Sequence, residues 1–147
     1  MNADNPSEIW VYKYDQIDEA IEQLSQASEL IFHNGLAFDI PAIRKIYPNF
    51  NTENNKITDT LVLSRLICAD QKTKDAEVEK FPKRLFGSHS LKAWGVRLGI
   101  HKGNFGETTD WAEWSQEMQD YCEQDVVVTH ALLQHLQPEK GSRSEER

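Results

Sequence analysis

A short apolar run followed by a glycine turn constrains the fold of this chain most. Residues 30–33 have the length and composition of a buried strand, and Gly35 follows them as a turn residue. A helix is predicted to begin near Asp39, with Pro41 in its first turn, where a missing N–H costs little. Because a strand that passes through a tight turn into a helix is typical of α/β proteins, we predict that fold class.

The alternation of strands and helices continues along the chain. Aromatic and β-branched residues 9–14 predict a strand, and an apolar stripe at helical spacing follows from Asp15. A second short strand is predicted over residues 57–60, and a helix over residues 61–67 whose apolar side chains point mostly inward. Because residues 71–80 are charged and aperiodic, they are predicted to form a mobile loop.

Two further helices are predicted from their end signals. Ser88 or Ser90 can cap the first of them, and Gly99 fits its C-terminal end. The second is the longest helix of the chain and runs from Ser115 to about Leu136. Its predicted buried stripe comprises Met118, Cys122, Val126, Thr129 and Leu133.

Composition indicates one folded domain. The chain has 147 residues, 39% of them hydrophobic, and we predict a domain over residues 1–137 with a flexible polar tail over 138–147. No apolar run approaches the roughly 18 residues that span a bilayer, and no secretory leader is visible, so a cytoplasmic location is expected. Cys68 and Cys122 are predicted to be buried free thiols rather than a disulfide.

The formal net charge of −8 narrows the possible functions. It argues against a protein that binds nucleic acid by bulk phosphate attraction, since such proteins are basic. It is compatible with a nuclease, because carboxylates that hold divalent metal ions attract phosphate once they are loaded.

Two acidic motifs carry candidate chemistry. Asp39 would lie near the carboxyl end of a strand, where ligands of α/β sheets bind. Tyr121 and Asp125 are four residues apart and therefore share one face of the long helix. Carboxylates can hold hard divalent cations, and a tyrosine beside them can orient an attacking water. Structural interpretations remain open: a helix N-cap or first-turn Asp for Asp39, a Lys- or Arg-paired Asp for Asp125, and a turn former for Asn34.

Other polar residues have simpler interpretations. Asp59 is predicted to cap the helix that follows it, and His89 to be a loop or capping histidine. His33 is predicted to make a structural hydrogen bond. Trp111 and Trp114 are expected to anchor the core, with stacking on nucleic-acid bases as the alternative.

Four blocks of sequence, taken in order, resemble the proofreading 3′–5′ exonuclease domain of family A DNA polymerases, above all the replicative polymerases of short-tailed phages. The blocks are Phe32-His33-Asn34-Gly35 with Phe38-Asp39-Ile40-Pro41-Ala42, Thr58-Asp59-Thr60-Leu61-Val62-Leu63, Phe86-Gly87-Ser88-His89-Ser90-Leu91, and Tyr121-Cys122-Glu123-Gln124-Asp125. The likeness extends over residues 9–136 and is specific, because separate blocks match in the same order.

The resemblance implies a ribonuclease H-like mixed sheet flanked by helices, and two divalent metal ions, Mg²⁺ or Mn²⁺. Asp39 would match the acid of the family's second exonuclease motif, and Asp125 that of the third, so both would be metal ligands. Tyr121 would orient the attacking water. The substrate, a single-stranded DNA 3′ end, would be contacted by Asn34, Leu36 and Phe38.

One part of the family pattern is not found. The family's first motif is an Asp-x-Glu on the opening strand, and no such triplet follows an apolar strand near Met1. The predicted fold therefore lacks the first two strands, and two of the four expected carboxylates are missing. Mg²⁺ demands good geometry, so the ions should be weakly held.

Three explanations stay open: a fragment, a chain complemented by a partner that supplies the missing N-terminal strands, and a degenerate homologue that no longer cuts. The first functional hypothesis is an exonuclease-type domain that serves a phage-like DNA polymerase and is weak or inactive alone. The second is a non-catalytic module that binds single-stranded DNA or a polymerase partner.

Overall fold

The computed structural model describes residues 1–12, 14–100 and 115–137. They fall into two compact units, Met1–Val62 and Leu63–Arg147, which we describe one at a time. The predicted tail over 138–147, Trp111 and Trp114 lie outside the described residues. The domain boundary at residue 137 therefore stays a prediction.

The first unit is built on two parallel strands. β1, Glu29–Phe32, pairs with β2, Lys56–Asp59, so that Phe32 lies opposite Asp59 at the carboxyl ends of both strands. Helix α1, Ile17–Gln26, precedes β1, and helix α2, Ile40–Ile46, lies on the crossover between the strands. Strands joined by a helical crossover confirm the predicted α/β class.

The aromatic segment near the start of the chain was predicted wrongly. Residues 9–12 form no strand, and Tyr14 begins a 3₁₀ turn over Tyr14–Gln16. Ile9, Trp10 and Val11 are exposed. Strand propensity is context-dependent, and no described strand lies beside this segment to pair with its backbone.

Helix α3, Thr60–Ile67, follows β2 directly, as predicted, but its inward face was predicted wrongly in part, although Leu63 packs against the buried core as expected. Its inward residues are Thr60, Ser64 and Cys68 just beyond its end, all buried, whereas Leu66 is 74% exposed and Ile67 46%. Polar side chains occupy the inward positions because their hydroxyls find hydrogen-bond partners there. The apolar residues of this helix therefore do not all mark its buried face.

In the described residues of the second unit, three α-helices follow α3: α4 over Gln71–Glu77, α5 over Leu91–Arg97 and α6 over Gln116–Leu136. One buried cluster joins Cys68, Trp94, Leu132 and Leu136. A second cluster joins Phe81, Leu85 and Ala93. The two clusters pack α5 against α6 and against the segment that precedes α5.

Helix α4 replaces the mobile loop predicted over residues 71–80. Gln71 and Asp75 are buried in this helix, and Arg97 forms an ion pair with Asp75. A polar helix of this kind has no apolar stripe, so hydrophobic periodicity could not reveal it.

The ends of α5 and α6 were predicted correctly. The Ser90 hydroxyl accepts the backbone N–H of Ala93 at 3.1 Å, and the Ser115 hydroxyl accepts that of Met118 at 3.2 Å. Gly99, with φ of 72°, ends α5 in the left-handed conformation that glycine allows. These ends depend on local hydrogen bonds, which short stretches of sequence encode well.

The buried stripe of α6 was predicted wrongly in part. Of the predicted stripe only Leu133 is buried, and Cys122 and Val126 are exposed. The buried residues of α6 are Val128, Leu132, Leu133 and Leu136. In helix α2, Ile40 is buried while Ile46 is 75% exposed. Cys68 is a buried cysteine that forms no disulfide, as predicted.

Candidate functional site

The turn after β1 is the first part of the candidate site. Asn34 has φ of 68°, a left-handed conformation that asparagine tolerates better than most residues. Gly35 is buried, and a Cβ at this position would lie 2.3 Å from the Cβ of Phe32, so glycine is required by the close approach. The chain then passes through one π-helical turn, Gly35–Asp39, into α2.

A buried carboxylate from the neighbouring strand holds this turn. Asp59, at the end of β2, accepts the backbone N–H of Asn34 at 2.8 Å and that of Leu36 at 3.3 Å. It also accepts the N–H of Leu61 at 3.0 Å, which agrees with its predicted role at the start of α3. Asp59 therefore joins the turn after β1 to the end of β2, a connection that sequence analysis missed.

His33 and Thr60 form a second link between the same two strand ends. The His33 Nδ1 lies 2.8 Å from the Thr60 hydroxyl, and that hydroxyl donates to the Phe32 carbonyl at 3.1 Å. Thr60 is fully buried. The predicted structural hydrogen bond of His33 is confirmed.

The three other predicted site residues of the first unit lie on the π-helical turn. Leu36 is 55% exposed and Phe38 is 68% exposed, so both offer apolar surface to solvent. Asp39 is half-buried, has helical backbone angles and makes no capping hydrogen bond to α2. The structure thus brings Asn34 and these residues together on one short segment, and it does not favour a capping role for Asp39.

Helix α6 carries the two candidate residues of the second unit. Tyr121 and Asp125 are both half-buried and lie one turn apart on the same face of the helix. The same face continues into buried Val128 and Leu132. One carboxylate oxygen of Asp125, Oδ1, is buried. The predicted pairing of Tyr121 and Asp125 on one face is therefore present.

A buried ion pair organises the second unit near α5. Asp75 accepts Arg97 Nε at 2.9 Å and Nη2 at 2.6 Å, and it also accepts Gln71 at 2.8 Å and the Gly87 N–H at 2.9 Å. Burial by itself raises the pKa of the Asp75 carboxyl, but these hydrogen bonds outweigh it and hold that pKa below its usual value. Arg97 also stacks over Trp94, 4.6 Å from the ring centre.

His89 has a structural role in the second unit, as predicted. Its Nδ1 lies 3.0 Å from the buried Ser64 hydroxyl. Burial lowers the pKa of His89, and the positive charges of Arg97 and Arg65 lower it further. The neutral imidazole is therefore favoured, which suits a hydrogen bond inside the fold.

The acids of the described segments do not assemble a site for two metal ions. No group of three or more His, Cys, Asp or Glu side chains that could hold an ion is found among these residues. Asp59 accepts three backbone N–H groups, and Asp75 is held by Arg97, so both carboxylates are largely engaged by the protein itself. The donor set thus falls short of what two divalent ions require.

Comparison with known proteins agrees with this fold. A family model of the RNase H superfamily matches residues 7–137. The chain is 37% identical over 158 residues to a DNA-directed DNA polymerase of Escherichia phage T7, which covers 92% of this chain and 22% of that protein. It is 37% identical over 147 residues to the DNA-directed DNA polymerase of Enterobacteria phage T3, with 84% of this chain and 21% of that protein covered.

The chain spans about a fifth of the length of these polymerases. No helix in the described segments is long and apolar enough to cross a bilayer. The predicted resemblance to a ribonuclease H-like part of phage DNA polymerases is confirmed by the family match and by both relatives. This chain belongs to the RNase H superfamily.

Proposed function

We propose that this chain is a 3′–5′ exonuclease-type domain that acts on single-stranded DNA ends and serves a phage-like DNA polymerase. The observation that carries the proposal is the similarity to two phage DNA polymerases across most of the chain, within the RNase H superfamily. The turn at the carboxyl end of β1 supports it, because active sites of α/β sheets lie at that edge. Such a domain would work in the cytoplasm of the infected cell.

The candidate residues form two groups, one proposed to contact DNA and one proposed to bind metal ions and water. Leu36 and Phe38 present exposed apolar side chains that can pack against DNA bases, and Asn34 supplies an amide beside them. Asp39 and Asp125 are the carboxylates proposed to hold Mg²⁺ or Mn²⁺, and the Tyr121 hydroxyl is proposed to orient the attacking water.

Metal ions in this reaction class stabilise the charge that develops on the attacking and leaving oxygens. Two carboxylates are few for a pair of Mg²⁺ ions, so we expect the chain alone to cut weakly or not at all. Further carboxylates, in the same polypeptide or from a complementing partner, would restore the activity.

The test is calorimetric titration of Mn²⁺ into the pure chain and into Asp39→Asn and Asp125→Asn. Asp70→Asn is the matched control, because Asp70 is an exposed acid whose contact is a surface ion pair with Lys74. Saturable binding that is lost in both test variants and kept in the control would support the proposal. Equal binding by all four proteins would refute the assignment of Asp39 and Asp125.

A digestion assay adds the catalytic readout. A 5′-labelled single-stranded oligonucleotide with Mn²⁺ should be shortened little by the chain alone. Rapid digestion that Asp125→Asn abolishes would show that the carboxylates of this chain suffice, against our expectation.

The second candidate function is a non-catalytic module that binds single-stranded DNA or a polymerase partner. It is favoured by the shortage of metal-ligating acids in the described segments. It predicts DNA binding that persists in EDTA and survives Asp39→Asn. Binding that requires both Mn²⁺ and Asp39 would exclude it.

A further inference from the structure

We propose that Asp59 is a positioning residue for single-stranded DNA, because its buried carboxylate fixes the backbone of the turn that carries Leu36 and Phe38. The part of this inference that concerns DNA rests on the proposed function. The structural part concerns the two hydrogen bonds from the Asn34 and Leu36 N–H groups to Asp59, which we call the clamp, and it can be tested separately.

The geometry points to a clamp that links distant parts of the chain. Asp59 is 6% exposed, and its Oδ1 accepts the N–H of Asn34 while its Oδ2 accepts the N–H of Leu36. These donors precede Asp59 by 25 and 23 residues, so the bonds are not those of an ordinary helix cap. Hydrogen bonds to a charged acceptor are stronger than those between neutral groups.

Strand pairing explains how the carboxylate reaches the turn. Phe32 and Asp59 are opposite each other at the ends of β1 and β2, so the first residues after β1 pass directly beside Asp59. Asn34 must adopt its left-handed conformation there, which is unfavourable for a residue with a Cβ. A buried carboxylate that binds the Asn34 N–H offsets this strain.

The consequence concerns the exposed apolar side chains. The Leu36 N–H donates one of the two clamp bonds, and Phe38 follows within the same π-helical turn. Both side chains are more than half exposed, so little packing fixes their direction. Their orientation therefore depends on the backbone that Asp59 holds, and a DNA end that packs on them depends on the same carboxylate.

The first experiment measures amide hydrogen exchange by NMR in the full chain, in Asp59→Asn and in Leu30→Val. Leu30→Val is the matched control, because it removes a buried methylene group from β1 without touching the carboxylate. In Asp59→Asn the Asn34 and Leu36 amides should exchange about tenfold faster, relative to the amides of β1, since a charged acceptor is lost. An equal change in Leu30→Val would overturn the clamp.

The second experiment measures binding of fluorescently labelled oligo(dT) by anisotropy, in EDTA and in Mn²⁺. Asp59→Asn should weaken binding about tenfold in both conditions, while Leu30→Val leaves it within about twofold. A loss confined to Mn²⁺, together with lower Mn²⁺ affinity, would make Asp59 a metal ligand and overturn the positioning role.

The two experiments separate the possible failures. If the unmodified chain does not bind oligo(dT), the proposed function and the DNA role of Asp59 are both refuted. Faster amide hydrogen exchange at Asn34 and Leu36 in Asp59→Asn would still establish the clamp. If the unmodified chain binds DNA and Asp59→Asn binds equally well, the positioning role alone is refuted.

Discussion

Replacing Asp75 by asparagine tests the buried ion pair that organises the second unit. The Asp75 side chain is 1% exposed and that of Arg97 is 8% exposed, so the pair is screened little by solvent. Asp75→Asn keeps the size of the side chain but leaves the Arg97 charge buried without its partner. Breaking a buried pair in this way costs about 3–5 kcal/mol. We expect about 3 kcal/mol, because the asparagine oxygen can still accept one hydrogen bond and Arg97 still stacks on Trp94.

The assay is urea unfolding followed by circular dichroism near pH 7. Asp70→Asn, just before the same helix, is the matched control, because the Asp70–Lys74 pair is exposed and its loss should cost about 0.5 kcal/mol or less. Equal destabilisation by the two variants would refute the reasoning, since it would mean that burial does not strengthen the Asp75–Arg97 pair.

The pH dependence gives a second check on Asp75. The hydrogen bonds of Asp75 lower its pKa in the folded chain below the ordinary value of 3.8. The unfolded chain therefore takes up the proton first as the pH falls, so the contribution of Asp75 is complete at neutral pH. It should decline below about pH 4, and the difference between the unmodified chain and Asp75→Asn should narrow there. A difference that stays constant down to about pH 2 would contradict this account.

Three smaller predictions use the same unfolding assay. Gly35→Ala should cost about 3 kcal/mol, because the new Cβ would lie 2.3 Å from the Cβ of Phe32; a neutral effect would contradict the close approach. Asn34→Ala should cost about 1 kcal/mol at its φ of 68°, whereas Asn34→Gly should be nearly neutral. Ser115→Ala should cost about 1 kcal/mol through loss of the cap on Met118. Ser115→Asn, which keeps a capping oxygen, should recover most of that loss.

Features encoded by neighbouring residues were predicted from the sequence. β1 and the turn at Gly35 follow from a short apolar run and one glycine, and the Ser90 and Ser115 caps follow from hydroxyls just before apolar-periodic segments. These features depend on contacts within a few residues. The type of each such element and its start could therefore be predicted to within about one or two residues.

Features that depend on distant residues were not predicted. Asp75 forms an ion pair with Arg97, which is 22 residues away in the sequence. This contact stabilises α4, although the amino-acid composition of the segment is that of a loop. Asp59 binds Asn34 across 25 residues, and only strand register brings them together. The exposed segment over residues 9–12 is the opposite case: its strand propensity is high, but no described neighbouring strand pairs with it.

Asp59 and Asp75 use most of their carboxylate acceptor positions to maintain the fold. A carboxylate has about four acceptor positions. Asp75 receives four hydrogen bonds and Asp59 receives three, so their positions are largely filled by the protein itself. By this count Asp75 has no acceptor position left for a metal ion, and Asp59 has about one. The proposal of metal binding therefore rests on Asp39 and Asp125, and Mn²⁺ titration of Asp39→Asn and Asp125→Asn tests it.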